Sequence, residues 1–286
     1  MIRFGPSGNS YLFYNEGHKS TLEAFEWISR NYGLNAYEYS FGRGVRLRRE
    51  TAEKTGEEAA RFGVALSVHA PYYINFAADE PEKAKASERY VYESARAAVW
   101  LGARRVVFHA GSQGSFSKEE AFARAKAGIL SALDILKGEG LYDIELCPET
   151  MGRSKQIGDL DEVIELCRLD ERLVPAVDFA HLHARGKGAI NSAEDYARIL
   201  DKLESELGGR RAKSFHIHFS RIEYTAAGEK AHRTFADGEF GPDFRPLARL
   251  LARRGLEPVI ICESKGTMDK DAAEMKRQYF EELERL

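Results

Sequence analysis

Short β-rich runs recur from one end of the chain to the other, each followed by a helical stretch, and this alternation narrows the fold most. Candidate strands end near Phe4, Tyr39, His69, His109, Glu149, Asp178, His218 and Glu263, so successive strand ends lie about 29 to 45 residues apart. That length holds a strand, a returning helix and a variable loop, because parallel neighbours need a crossover rather than a tight turn. The runs Arg105-Val-Val-Phe before His109 and Pro258-Val-Ile-Ile-Cys before Glu263 are almost continuously apolar, as strands covered on both faces are. Eight such units in 286 residues predict a (β/α)8 TIM barrel in which residues 1–286 form a single domain. A doubly wound open sheet is the other arrangement this alternation allows.

Helix boundaries are written into the same stretches. Ser117 with Glu120 makes a capping box, and Ser192 opens a similar helix. Pro81 is placed for the first turn of a helix ending near Gly102, and Pro242 for one that runs to Gly255. No linker, low-complexity segment or repeat divides the chain.

Composition sets the outer limits. Hydrophobic residues at 43% and charged residues at 30% are ordinary for a soluble globular chain. No stretch approaches the roughly 18 consecutive apolar residues of a membrane span. The opening MIRFGPSGNS has no basic segment followed by an apolar one, so no signal peptide is expected. Cys147, Cys167 and Cys262 are widely spaced with no CxxC pair, which fits a reducing, cytoplasmic location better than a disulfide framework. A net charge of −3 argues against a broad basic surface for nucleic acid. A local groove whose bound cations add positive charge remains open. Neither a membrane nor a protein partner is implied.

The placement of histidine carries the chemistry. Of eight histidines, only His18 lies away from a strand end, with no obvious partner. The others, His69, His109, His181, His183, His216, His218 and His232, end predicted strands or lie in the loops after them. Strand C-termini of a barrel converge on one mouth, where Glu149, Asp178 and Glu263 would join them. A single histidine or glutamate at a strand end is more often a hydrogen-bonded structural residue. Seven together resist that reading, because each buried imidazole needs its own partners. Imidazole with carboxylate suits zinc, manganese or iron. His216 and His218, two apart, can both face the interior; His181 and His183 can do so only if their strand continues that far.

Other features have plainer readings. Arg43, Arg46, Arg48 and Arg49 form a solvated cluster or a phosphate contact. Gly5-Pro-Ser-Gly reads as a loop after the first strand and lacks the spacing of a phosphate-binding loop. Tyr72, Tyr73 and Phe76 read first as loop packing and second as a stacking platform for bases.

The motifs together resemble those of the endonuclease IV family of apurinic/apyrimidinic endonucleases. The segment His69-Ala-Pro-Tyr-Tyr-Ile-Asn is similar to the family's His-x-x-Tyr-x-Ile-Asn, and His109-Ala-Gly-Ser to its His-x-Gly-Ser. Glu149-Thr-Met-Gly, Asp178-Phe-Ala-His181 and Glu263 resemble further ligand segments, from the third strand to the last. The resemblance implies a barrel with zinc ions that cleaves damaged duplex DNA beside abasic sites in base excision repair; Mn2+ is an alternative metal. It implies one ion on His69, His109 and Glu149, and a second on Glu149, Asp178, His218 and Glu263. It favours Glu149 over Glu145 as the bridging, catalytic carboxylate, and His218 over His216 as the strand-seven ligand. Tyr72 would enter the distorted DNA. A third ion would use His181, His232 and an aspartate two residues before it, where this chain has Lys230. An ammonium cannot ligate unless it loses its proton, so a shifted loop with Glu229 would have to serve. Arg221 likewise stands where the family's strand-seven motif ends in aspartate.

Glu149, Asp178, His218 and Glu263 also match the one-ion set of sugar isomerases and epimerases in the same barrel superfamily, where Glu149 and Glu263 would move protons beside a carbonyl. A noncatalytic DNA-damage-binding protein on a decayed barrel is a third reading, disfavoured by so full a set of ligands.

Overall fold

Parallel pairing of eight short strands organises the chain, and the computed structural model describes residues 1–286. The strands are β1 (Arg3–Pro6), β2 (Ala36–Ser40), β3 (Ala65–His69), β4 (Arg105–Phe108), β5 (Glu145–Pro148), β6 (Ala176–Asp178), β7 (His216–Phe219) and β8 (Val259–Cys262). They form two four-stranded arcs, β2-β3-β4-β5 and β1-β8-β7-β6. Isolated parallel bridges close the arcs into a barrel, Ser7 with Glu38 on one side and Glu149 with Ala176 on the other. Gly5 belongs to β1 rather than to the following loop. Any Cβ there would lie 1.8 Å from the Ala36 carbonyl oxygen, so a glycine is needed where β1 meets β2.

Register brings the strand ends to one level. His218 pairs with Asp178 on one side and Ile261 on the other. His69 pairs with Ser40 and Val107, and Val107 with Cys147. His109, Glu149 and Glu263 each follow directly on the last residue of their strand. Val68, Val106, Phe108, Leu146, Val177, Ile217 and Ile260 are buried in one continuous apolar core with the inner faces of the outer helices. Each large side chain so buried contributes roughly 1.5 to 3 kcal/mol.

Helices begin where capping chemistry allows. Ser117 and Glu120 close a capping box on the helix Lys118–Gly138, and Ser192 with Asp195 closes one on Ala193–Lys213. Pro81 is the first residue of Pro81–Trp100. Pro242 departs from expectation, because its helix spans Phe244–Arg254 with Asp243 as N-cap. Gly241 is still engaged beforehand, its carbonyl accepting from the Ile222 N–H at 2.8 Å. Gly255 ends that helix in the left-handed conformation at φ 60°. His18 does have partners: it stacks on Phe13 and lies 3.1 Å from Glu23. The three cysteines are buried and unpaired. No helix is long and apolar enough to cross a membrane.

Candidate metal centre

At the C-terminal mouth of the barrel, Glu149 lies between two groups of histidines. Its Oε2 is 3.2 Å from His69 Nε2 and 3.0 Å from His109 Nε2, while its Oε1 is 2.9 Å from His218 Nδ1. Glu263 flanks the second group, with Oε1 3.5 Å from His218 Nδ1 and Oε2 3.7 Å from His232 Nε2. Asp178 completes it. The Asp178 Oδ1 caps the next helix by accepting from the His181 N–H at 2.7 Å, and Oδ2 is buried with no hydrogen-bond donor.

Outer contacts settle the orientation of the rings. A carbonyl can only accept, so His69 must donate from Nδ1 to Ala70 O at 2.8 Å, and His181 from Nδ1 to Thr150 O at 2.9 Å. The Ser220 hydroxyl gives its proton to Arg221 O and therefore accepts from His232 Nδ1 at 2.8 Å. In each case Nε2 is left facing the carboxylates. Metal-binding histidines are held in this way, one nitrogen anchored outside and the other turned in. Two ligands on a tetrahedral zinc ion lie roughly 3.4 Å apart, close to several of the separations here. Single donor atoms from Glu149, Asp178, His218 and Glu263 all lie within 4.8 Å of one another, as do those of His69, Glu149 and His218, and of His181, Glu229 and His232. An orphaned Asp178 oxygen, inward-facing ring nitrogens and clustered carboxylates together fit divalent cations.

The third group is built by an irregular hairpin, Arg221–Thr225 paired with Gly228–Arg233. Ala231 pairs with Glu223 and Glu229 with Tyr224, so Lys230 is an extra, bulged residue. Ile222 and Tyr224 share a face, and their partners His232 and Glu229 therefore share one too. Glu229 Oε2 comes 3.5 Å from His181 Nε2, whereas Lys230 turns outward to pair with Glu223. Arg221 also points away, toward Asp243 and Phe240 O.

Not every strand-end histidine joins the centre. The strand β6 stops at Asp178 and a helix, Phe179–Arg185, follows, so His181 and His183 diverge. His183 bonds Ile190 and packs on Tyr224. His216 lies one step deeper than His218, fully buried, with Nε2 3.0 Å from Glu38 Oε2. Glu38 escaped the sequence reading altogether, although it is fully buried beneath the centre and its Oε1 is 2.9 Å from His218 Nε2.

Charge around these groups is strongly coupled. Burial works to raise the Glu149 carboxyl, but His218, His109 and His69 overcome it and hold it well below the usual carboxylate range. Burial raises Asp178, with His181 opposing and Glu263 adding to the rise. Burial would lower His69 and His181; the neighbouring carboxylates prevail and push both up to about 9. Burial wins at His216, which is lowered to about 4 despite Glu38.

The mouth opens into a cavity of about 380 Å³, lined also by Ser7, Ser40, Gly42, Tyr72, Met151 and Arg153. Tyr72 stands on its rim, 61% exposed, packed edge-on against Tyr73. Tyr73 in turn packs on Tyr90, while Phe76 is buried against Phe108. The arginines Arg46 and Arg48 precede the helix Arg49–Arg61, and Arg49 pairs with Glu53 on it.

A family described as xylose isomerase-like TIM barrel matches residues 26–285. An uncharacterised protein of Methanocaldococcus jannaschii is 35% identical, over 89% of this chain and 90% of its own. A probable endonuclease 4 of Shouchella clausii is 26% identical over 79% of this chain and 78% of its own. Among solved structures, endonuclease IV from Thermus thermophilus superposes with a TM-score of 0.73 at 23% identity, covering 99% of this chain and all of that one. A D-tagatose 3-epimerase-like protein gives 0.72 at 20% identity, covering 99% and 98%. These two structures share the barrel.

Proposed function

Since the chain belongs to the xylose isomerase-like TIM barrel family, with two extra histidine groups around its strand-end carboxylates, we propose that it is a metal-dependent phosphodiester hydrolase of the endonuclease IV type. Its substrate on this reading is duplex DNA at an abasic site. The observation that carries the proposal is the inward nitrogen of His69, His181 and His232, each fixed by an acceptor outside the centre. A one-ion sugar enzyme needs only Glu149, Asp178, His218 and Glu263, and has less use for His69, His109, His181 and His232.

Three cation positions follow, most naturally for zinc, with manganese as the alternative. His69, His109 and Glu149 would hold one; Glu149, Asp178, His218 and Glu263 a second; His181, His232 and Glu229 the third. Bound there, divalent ions would supply charge against phosphate oxygens and make water nucleophilic near neutral pH. Glu149 remains ionised because its imidazole neighbours hold its carboxyl low, so it serves as a shared ligand and acceptor that orients water rather than as an acid. Tyr72, on the open rim, would fill the stack when an abasic nucleotide swings out, a movement made cheaper by the missing base.

The test is nicking of a duplex carrying one abasic site, with wild type and Glu149→Gln. Wild type should cleave in the presence of zinc, and the variant should be at least about a hundredfold slower. Wild type that is metal-loaded and leaves the duplex intact would sink the assignment.

The four-residue set around Glu149 favours a second reading, a ketose epimerase or isomerase with one ion per chain. One bound ion, none at His69 and His109, and turnover in a chromatographic ketose panel would establish it instead.

A further inference from the structure

Interior layers of an eight-stranded barrel are dominated by branched apolar side chains, yet this interior also buries polar ones. Beneath the strand-end centre, Glu38 reaches in from β2, Ser67 from β3 and His216 from β7, all buried. A carboxylate and an imidazole at that depth pay a desolvation cost that a pair of apolar residues would avoid. Something must retain them.

The contacts of Glu38 divide between its two oxygens. Oε2 accepts from Ser67 Oγ at 2.9 Å and from His216 Nε2 at 3.0 Å. Those two donors, from β3 and β7, fix the plane of the carboxylate. Oε1 is then aimed at His218 Nε2, 2.9 Å away; the contact lies off the ideal hydrogen-bond line, and neither atom has another partner. On the far side of the same ring, Nδ1 faces Glu149 and Glu263. His218 thus differs from His69, His181 and His232, which anchor Nδ1 and turn Nε2 inward. It turns Nδ1 inward and needs an acceptor behind Nε2.

We propose that Glu38 is a positioning residue, braced by Ser67 and His216, which holds the Nε2–H form of His218 so that its Nδ1 lone pair faces the metal ions. The inference rests on the metal centre of the proposed function. Outer carboxylates that accept from a ligating histidine fix its tautomer and raise its basicity, and losing one typically weakens metal binding 10- to 100-fold. Glutamine at position 38 is a pointed substitution. With its carbonyl kept on Ser67 and His216, it turns an N–H toward His218 where an acceptor is required.

The experiment measures Zn2+ affinity by chelator competition and the Co2+ ligand-field spectrum for wild type, Glu38→Gln and Ser67→Ala, with melting of each metal-free protein as a folding check. Glu38→Gln should bind the His218-containing site about 10- to 100-fold more weakly and alter the cobalt spectrum. Ser67→Ala should change both in the same direction by less, and carries the test alone if Glu38→Gln does not fold. A lower melting temperature with unchanged zinc affinity and cobalt spectrum would mean packing only and overturn the proposal. Wild type that binds no ion would overturn it together with the metal-centre reading, whereas wild type that binds ions only as tightly as both variants overturns it alone.

Discussion

His69 and His181 each spend one ring proton on a backbone carbonyl, so the proton on the inward nitrogen is the one that competes with a cation. In the metal-free chain burial disfavours that second proton, but the carboxylates around it raise both imidazoles to about 9, from an ordinary value of 6.5. A raised folded value means that the imidazolium stabilises the fold in full below about pH 6.5, and that this contribution disappears as pH climbs through about 9. The same protons must leave before a cation binds. Metal-free protein is therefore expected to melt at lower temperature on going from pH 6.5 to 9, while zinc affinity rises over that window. Calorimetry of metal-free and loaded protein at several pH values checks both, and a metal-free form that gains stability through the window contradicts the account. These two histidines were legible in sequence because one ends a strand and the other follows three residues after one. Glu38 was not, since one acidic residue inside Ala-Tyr-Glu-Tyr-Ser looks like the solvent side of a strand. The available signal was architectural: a strand covered on both faces has no solvent side, so a glutamate at its centre needs an internal partner.

Among the elements, the eight strands and their order were readable from apolar runs, and the observed strand ends fall within two residues of those expected. Pairing irregularities were harder to read, because a bulge is decided by the partner strand as much as by its own residues. In the hairpin Arg221–Thr225 and Gly228–Arg233, the family resemblance put Lys230 where a third ion's aspartate would stand, two residues before His232, and the extra residue turns it away. The offset between His232 and its carboxylate grows from two to three, and Glu229 takes the inner face. Replacing Glu229 with alanine should lower the zinc content by one ion per chain. Lys230→Ala should leave it unchanged, since that side chain pairs outward with Glu223. Elemental analysis of the two purified variants decides between them, and loss of an ion only in Lys230→Ala would refute the bulge as the cause. The helix after β6 is a comparable case: Asp178 caps it with one oxygen, which swings His181 inward and His183 out toward Tyr224.

For the whole molecule, the two four-stranded arcs are continuous within themselves and meet through isolated bridges. His69, His109 and Glu149 lie at the strand ends of one arc; Asp178, His218 and Glu263 lie at those of the other. Any cation shared through Glu149 would consequently rivet the two arcs together across the β5–β6 boundary. Glu38, crossing from β2 toward His218 on β7, makes a second tie through the interior. Such a rivet would be removable, and on the proposed reading it would give the protein two mechanical regimes. Stripping the metal should speed amide hydrogen exchange in β5 and β6 while leaving β3 and β4, paired inside one arc, nearly as protected as before; equal changes in all four strands would argue against it. On the proposed reading, a centre assembled for chemistry would then double as a closure for the barrel, and the supply of its metal would govern how long the folded chain survives proteolysis.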